Sequence, residues 1–248
     1  MSRIALNKLL MWGRRAAIKA PITAVFLLLV GCTYHQETDN PILRKLTWFG
    51  YLDGDDIREA CASGASDWYR LVYNGVYIEQ VRSYEIRQEG DGDAYAMVSS
   101  VSLPADLSHV ELEARRPDLL KPWRPVVVRI PFGHSQLDLL RAALEKDGVF
   151  GPPPVGLRMS SIQFYWVLSA CHDGKYRFNA FLWPSDRFKS LTFPGLLASW
   201  DKTGIPVNPP RVTSEFSIYG TNDSQEHINL FEVKVDSDGL NRTRIRLR

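Results

Sequence analysis

The chain has 248 residues, 45% of them hydrophobic, 23% charged and 11% aromatic, with 17 Gly, 15 Pro and a formal charge of +2. That length suits one large domain or two small ones, with room for a substantial core. The proportions exclude collagen-like, wholly disordered and strongly charged nucleic-acid-binding chains.

The first segment departs from this ordinary composition. Residues 1–31 carry Arg3, Lys8, Arg14, Arg15 and Lys19 and no Asp or Glu, and the apolar run Ile22 to Val30 follows the last of them. This is the layout of a secretory signal peptide. Nine residues of helix reach about 14 Å, under half of the ~30 Å hydrocarbon core, so a spanning anchor is the lesser reading. The run closes as Leu29-Val30-Gly31-Cys32, which resembles the lipobox of bacterial lipoprotein precursors. The resemblance covers the precursor segment alone. It implies that Cys32 receives a thioether-linked diacylglycerol, that the chain is cut before it, and that the new amine is acylated. Two or more acyl chains, at ~0.8 kcal/mol per buried CH₂, hold a protein at a membrane without a spanning helix. Thr33 rather than Asp follows Cys32, which by the same resemblance implies the inner leaflet of an outer membrane, facing the periplasm. Gly13 to Lys19 is also similar to a twin-arginine signal, with Ala17 in place of the usual Phe, and Sec and twin-arginine export both stay open. Without residues 1–31 the chain keeps 25 basic and 28 acidic residues, a balance of −3 that predicts no nucleic-acid partner.

Thr33 to Pro41 is polar and aperiodic. Residues 1–31, 32–41 and 42–248 are therefore expected to be signal peptide, lipidated tether and folded domain. The cluster Asp53, Asp55, Asp56 and Glu59 lacks the Gly-punctuated ligand order of a calcium loop and reads as helix-start carboxylates or a solvated loop. Tyr69 to Tyr73 and Val76 to Ile86 flank Asn74-Gly75, which predicts a hairpin with a two-residue type I′ turn. Tyr95 to Leu103, Val110 to Arg115 and Val126 to Ile130 continue as strands. Ser135, with Asp138 three residues on, reads as the cap of a helix whose apolar stripe is Leu137, Leu140 and Leu144 and whose stop is Gly148. A sub-domain break is open near residues 151–157, at Gly151-Pro152-Pro153-Pro154. Ile162 to Cys171 then alternates as a strand, and Asp173-Gly174 turns the chain into Lys175 to Trp183. Pro194 opens and Gly204 closes a second short helix. Val212 to Tyr219, Ile228 to Val235 and Leu240 to Leu247 complete the pattern, the last two joined across Asp236 to Gly239. The fold class expected is α+β, mainly antiparallel sheet with two short helices, and Tyr77, Tyr84, Trp166 and Trp183 are expected in its core.

Candidate chemistry is sparse. Cys61 and Cys171 suit a disulfide in an exported protein. The isolated cysteines and the absence of a His pair at ligand spacing predict no metal site and no cofactor beyond the lipid on Cys32. His35, His109, His134, His172 and His227 are scattered, and His172-Asp173 reads as a solvated turn. Gly133-His134-Ser135 stands between a strand and a helix, the context of a nucleophile elbow, but Leu137 is too large for the small residue such an elbow needs. A serine esterase would use Ser135 with His227 as base and Asp186, Asp201 or Asp223 as orienting acid. Arg242, Arg244, Arg246 and Arg248 would form a row on one face of a strand, able to meet phosphates or an acidic partner, or to guard a sheet edge. The reading favoured is a membrane-anchored bacterial envelope lipoprotein with a non-catalytic binding or scaffolding domain. Its partner would be an envelope protein, lipid or glycan. The alternative is a lipid-anchored hydrolase built on Ser135.

Overall fold

Strand β1 (Trp68–Gly75) holds the centre because both of its faces are apolar enough to bury: Tyr69, Leu71 and Tyr73 point one way, Val72 the other. The computed structural model describes residues 48–90, 93–103, 124–214, 231–241 and 246–247. A helical turn over residues 48–53 and helix α1 (Asp55–Ala62) precede β1. β2 (Val81–Gln88), β3 (Tyr95–Ser102), β4 (Val126–Phe132) and helix α2 (His134–Lys146) follow. Next come β5 (Arg158–Ser160), β6 (Phe164–His172), β7 (Lys175–Leu182), and the short helices α3 (Asp186–Lys189) and α4 (Phe193–Trp200). β8 (Phe231–Lys234) and β9 (Arg246–Leu247) are the last strands. All belong to one compact unit, Tyr34–Arg248.

The main sheet has six strands in the order β4-β3-β2-β1-β6-β7, every pair antiparallel. β6, beyond the Pro152 to Pro154 linker, pairs along the whole of β1, so one sheet continues across that linker. A smaller sheet, β5-β8-β9, is antiparallel as well. On one face of the main sheet, α2 and α4 bury Leu137, Leu140, Leu144, Phe193 and Leu197 against Tyr69, Leu71, Tyr84, Ile86 and Trp166. On the other face, Trp48, Tyr51 and Leu52 pack with Met159, Phe231 and Val233 of the small sheet against Val72, Tyr165 and Val167. The architecture is the expected α+β class with sheet dominating, arranged in three layers. Tyr84 and Trp166 are core residues, and Tyr77 and Trp183 pack half-buried against the two cores.

Several local expectations are corrected. Asn74-Gly75 is not the turn: both residues lie in β1, and the chain turns through Val76 to Gln80, where Val76 takes φ 63° and Gly75 N–H donates to Gln80 O. Asn74 is buried instead and donates its side-chain N–H groups to Ser161 O and Gln163 O at 3.0 and 2.7 Å, which holds it in the strand. Asp173-Gly174 does turn β6 into β7, with φ 50° and 68° as a type I′ pair requires. Gly133, not Ser135, is the N-cap of α2, and Gln136 Oε1 reaches back to accept its N–H at 3.0 Å. The helices also exceed the two expected: α1, α3 and the turn at 48–53 accompany α2 and α4. Of the acidic cluster, Asp55 and Asp56 occupy the first turn of α1, while Asp53 is buried and accepts the Leu240 N–H at 2.6 Å. Gly54 precedes them at φ 68°, and a Cβ there would run into the Ser169 side chain, so the close approach of α1 to β6 demands glycine. The strand expected at Val110 to Arg115 lies outside the described residues. Residues 212–214 are not in a strand, and the rest of Val212 to Tyr219 lies outside the described residues.

Residues 201–213 form a strap fastened to the sheet by polar side chains. Arg82, buried on β2, pairs with Asp201 and donates to Ile205 O at 2.5 Å and Thr203 Oγ1 at 3.2 Å. Tyr84 donates to Asp201 Oδ2 at 2.9 Å, and Tyr73 to Asn208 O at 2.7 Å. Burial opposes the Asp201 charge but is outweighed by hydrogen bonds from Thr203 and Tyr84 and by the charge of Arg82, so its carboxyl titrates below the usual range. A depressed carboxyl contributes stability above the ordinary value of about 3.9 and loses it as pH falls through the folded value. Asp201→Asn should therefore cost about 2–3 kcal/mol at pH 7, since Arg82 keeps its carbonyl partners. The loss should shrink as pH falls below about 4, where Asp201 of the unfolded chain takes up its proton, and be smallest below the still lower folded value. Urea titrations at stepped pH check this: a pH-independent loss would contradict it.

Candidate functional site

A concentrated set of polar side chains lies at the end of the sheet where the β6–β7 turn meets the start of β1. Asp67 comes from the residue before β1, Tyr69 from β1, Arg141 from α2, His172 from the end of β6 and Asp173 from the turn after it. Tyr69 donates to Asp67 Oδ2 at 2.5 Å, and Arg141 donates to the same oxygen at 2.8 Å and to the Tyr69 hydroxyl at 3.2 Å. The Asp173 backbone N–H donates to Asp67 Oδ1 at 3.1 Å. His172 Nδ1 stands 2.8 Å from the Tyr69 oxygen and 3.4 Å from Asp67 Oδ2. Phe150 stacks on the imidazole at 4.0 Å, with the planes 11° apart.

Proton counting settles the roles. Burial opposes the Asp67 charge, yet hydrogen bonds from Tyr69, Arg141 and the Asp173 amide outweigh it and keep the carboxyl ionised below the usual range. Burial and the neighbouring carboxylate hold the Tyr69 phenol well above its ordinary value, so it is neutral. Burial alone would lower the Arg141 value, but Tyr69 and Asp67 raise it and keep the guanidinium charged. Tyr69 has one proton, which goes to Asp67, so its oxygen accepts from Arg141 and from His172 Nδ1–H. With Nδ1 as the donor to Tyr69, Nε2 is left on the side of Asp173, whose Oδ2 stands 3.6 Å away. A neutral-phenol, ionised-carboxylate pair of this kind is an orienting device, not a nucleophile with its base.

Cys61 and Cys171 form a disulfide beside this cluster, with Cα atoms 5.3 Å apart across a sequence separation of 110. Ser135 is exposed in the first turn of α2, and among the described residues no histidine or carboxylate hydrogen-bonds to it. Asp201 is held by Arg82 and Tyr84, and Asp186 lies in α3 with Lys189 at 3.8 Å. His227, Asp223, Arg242, Arg244, Arg248 and Cys32 lie outside the described residues. Arg246 is placed in β9 by its backbone. His134 sets its ring edge-on to Tyr95 at 6.0 Å.

An apolar cleft of about 290 Å³ lies along β7, lined by Pro154, Leu157, Phe181, Leu182, Trp183 and Arg187. Arg187 places its guanidinium 4.6 Å over the Phe181 ring and 3.3 Å from Asn179 Oδ1. Its size is near the lower bound for small-molecule sites. Among the described residues no helix is long and apolar enough to cross a membrane. No protein family, curated protein or solved structure matches the chain. Sequence reasoning missed the Asp67–Tyr69–Arg141–His172 network. The one local signal was a His-Asp pair at a turn, which has no periodic or motif signature.

Proposed function

We propose that the protein is a bacterial envelope lipoprotein, anchored through acylated Cys32, whose folded domain serves as a non-catalytic binding or scaffolding module facing the periplasm. The observation that carries this reading is the cysteine inventory. The chain has three cysteines. Two of them, Cys61 and Cys171, are joined across the domain, as suits an oxidising compartment, and the third is the one that closes the lipobox-like run. Asp201, one of the acids a hydrolase built on Ser135 could use, is instead held in the strap by Arg82 and Tyr84, which favours a surface-acting domain. The membrane is reached through the lipid, and the further partner is an envelope protein, lipid or glycan. Thr33 after the acylated cysteine favours the inner leaflet of the outer membrane.

Expression of the full chain with labelled palmitate tests the anchor. Wild type is expected in the membrane fraction, labelled and shortened by the leader, and Cys32→Ser is expected unlabelled and released. Membrane retention of Cys32→Ser at full precursor mass would instead mark an uncleaved helical anchor and end the lipoprotein reading. For the domain, crosslinking in intact envelopes is expected to give a reproducible partner. Ester turnover by the purified chain that disappears in Ser135→Ala would overturn the non-catalytic reading.

A further inference from the structure

We propose that His172 Nε2 and Asp173 Oδ2 form a solvent-facing site for a divalent transition-metal ion, with Zn²⁺ the best-fitting cation, and that Asp67 and Tyr69 are its orienting groups. The imidazole is prepared on every side. Its Nδ1–H donates to Tyr69 at 2.8 Å, Tyr69 donates to Asp67 at 2.5 Å, Phe150 covers the ring face, and the preceding residue is tied to α1 through the Cys61–Cys171 bond. Metal-ligating imidazoles use this arrangement: the nitrogen away from the ion donates to a carboxylate or its relay, which fixes the tautomer and raises the basicity of the ligating nitrogen.

The geometry of the other nitrogen fits an ion. Nε2 lies 3.6 Å from Asp173 Oδ2, a carboxylate whose side chain is 85% exposed. With ligand distances of ~2.1 Å, an ion touching both atoms sees them about 118° apart, close to the tetrahedral angle that zinc prefers. A neighbouring pair on an octahedral ion of the Mg²⁺ type would stand only ~3.0 Å apart, and such ions prefer oxygen alone. An imidazole in the ligand set favours zinc, copper or nickel instead. Asp67, His172 and Asp173 each offer one ligand atom, the three within 4.8 Å of one another. Asp67 Oδ2 is already taken by Tyr69 and Arg141, and its Oδ1 by the Asp173 amide, so it supports the ligand from behind while water completes the coordination sphere. The charges around the site set the strength. Arg141 is countered by Asp67 at 2.8 Å and by Asp138 at 3.4 Å. Lys175, across the strand pair from His172, is exposed and opposes a cation, so the site is weaker than a closed structural zinc centre.

Calorimetric titration of the full chain with Zn²⁺, and with Co²⁺ as its coloured stand-in, tests the proposal. One equivalent per chain is expected, with visible cobalt bands of a four-coordinate nitrogen and oxygen site that Zn²⁺ erases. His172→Ala should abolish both signals. Asp173→Asn, at an exposed position that leaves the fold intact, should weaken binding about tenfold or more, and Asp67→Asn should do so by a similar factor. Asp67→Asn should also shift the imidazole proton off Nδ1 in the long-range ¹H–¹⁵N spectrum of the metal-free protein, which a residue with no positioning role would not do. Absence of heat and cobalt bands overturns the site. Binding equally strong in Asp173→Asn places the ion elsewhere on the chain and overturns it as well.

Discussion

Replacing Arg70 by alanine is expected to destabilise the protein by about 3–5 kcal/mol, because it strips the counter-charge from two carboxylates that the fold keeps from water. The Arg70 side chain has no exposed surface. It forks onto Asp56 Oδ1 and Oδ2 at 2.7 and 2.6 Å, donates to Glu85 Oε2 at 3.3 Å and to Tyr51 O at 3.2 Å, and lies 4.1 Å over the Tyr51 ring. Burial works against its charge, but Glu85, Asp56 and Tyr51 outweigh that and push its value well up, so it is a cation at every accessible pH. The bidentate pair ties α1 to β1 and the Glu85 contact ties β1 to β2, so one side chain joins a helix and two strands. Most of the loss should come from the orphaned carboxylates and not from the missing pair itself. A neutral set, Arg70→Met with Asp56→Asn and Glu85→Gln, should therefore recover a large part of it, the glutamine still accepting the Trp68 indole N–H that Glu85 holds at 2.8 Å. Urea unfolding of the single and triple variants measures both numbers. A single-variant loss under about 1 kcal/mol, the range of exposed ion pairs, would show that the buried network does not act as described.

Arg70 and Asp56 also show where the sequence is legible and where it is not. Elements with a local signature read correctly. Asp173-Gly174 turns β6 into β7 because both residues accept positive φ, and Leu137, Leu140 and Leu144 of α2 face the core at helical spacing. Elements whose conformation is set by distant partners do not. Asn74-Gly75 has turn chemistry, yet carbonyls from residues 161 and 163 capture the Asn74 amide and keep it extended. Residues 48–62 mix aromatic residues with Asp-Gly-Asp-Asp and carry no clear period. They are helical because Trp48, Tyr51 and Leu52 face one core and Ile57 and Cys61 another, an arrangement that depends on β6 and β8 far along the chain. The His172 network draws on four segments up to 106 residues apart. Strand β5 has three residues, too few to show any alternation.

Removing the Cys61–Cys171 bond should produce the largest loss of all, about 5 kcal/mol, through the unfolded state more than the folded one. The bond spans a separation of 110 residues, and in the chain-entropy account a loop of that size restricts the denatured ensemble by roughly that amount. The two sulfurs are also core atoms: Cys171 is fully buried, Cys61 nearly so, and both pack with Ile57. Crosslink and packing contributions separate by additivity. If the bond acts as a crosslink, Cys61→Ala, Cys171→Ala and the double variant should lose similar amounts, because each breaks the same link. If the sulfurs acted as independent core side chains, the double variant would lose the sum of the singles. Hydrogen exchange distinguishes the two further. Without the link α1 keeps Arg70–Asp56 as a tie to β1, so its amides should exchange by local opening well before the core of β1 and β6, whereas in wild type they should exchange together. Cys171 immediately precedes His172, and that local opening carries a second consequence. The double variant should bind Zn²⁺ more weakly than wild type even where its sheet is intact, because the imidazole loses the backbone anchor that holds it between Phe150 and Tyr69. Zinc affinity unchanged in a variant whose α1 amides exchange freely would show that the ring is positioned by Tyr69 and Phe150 alone.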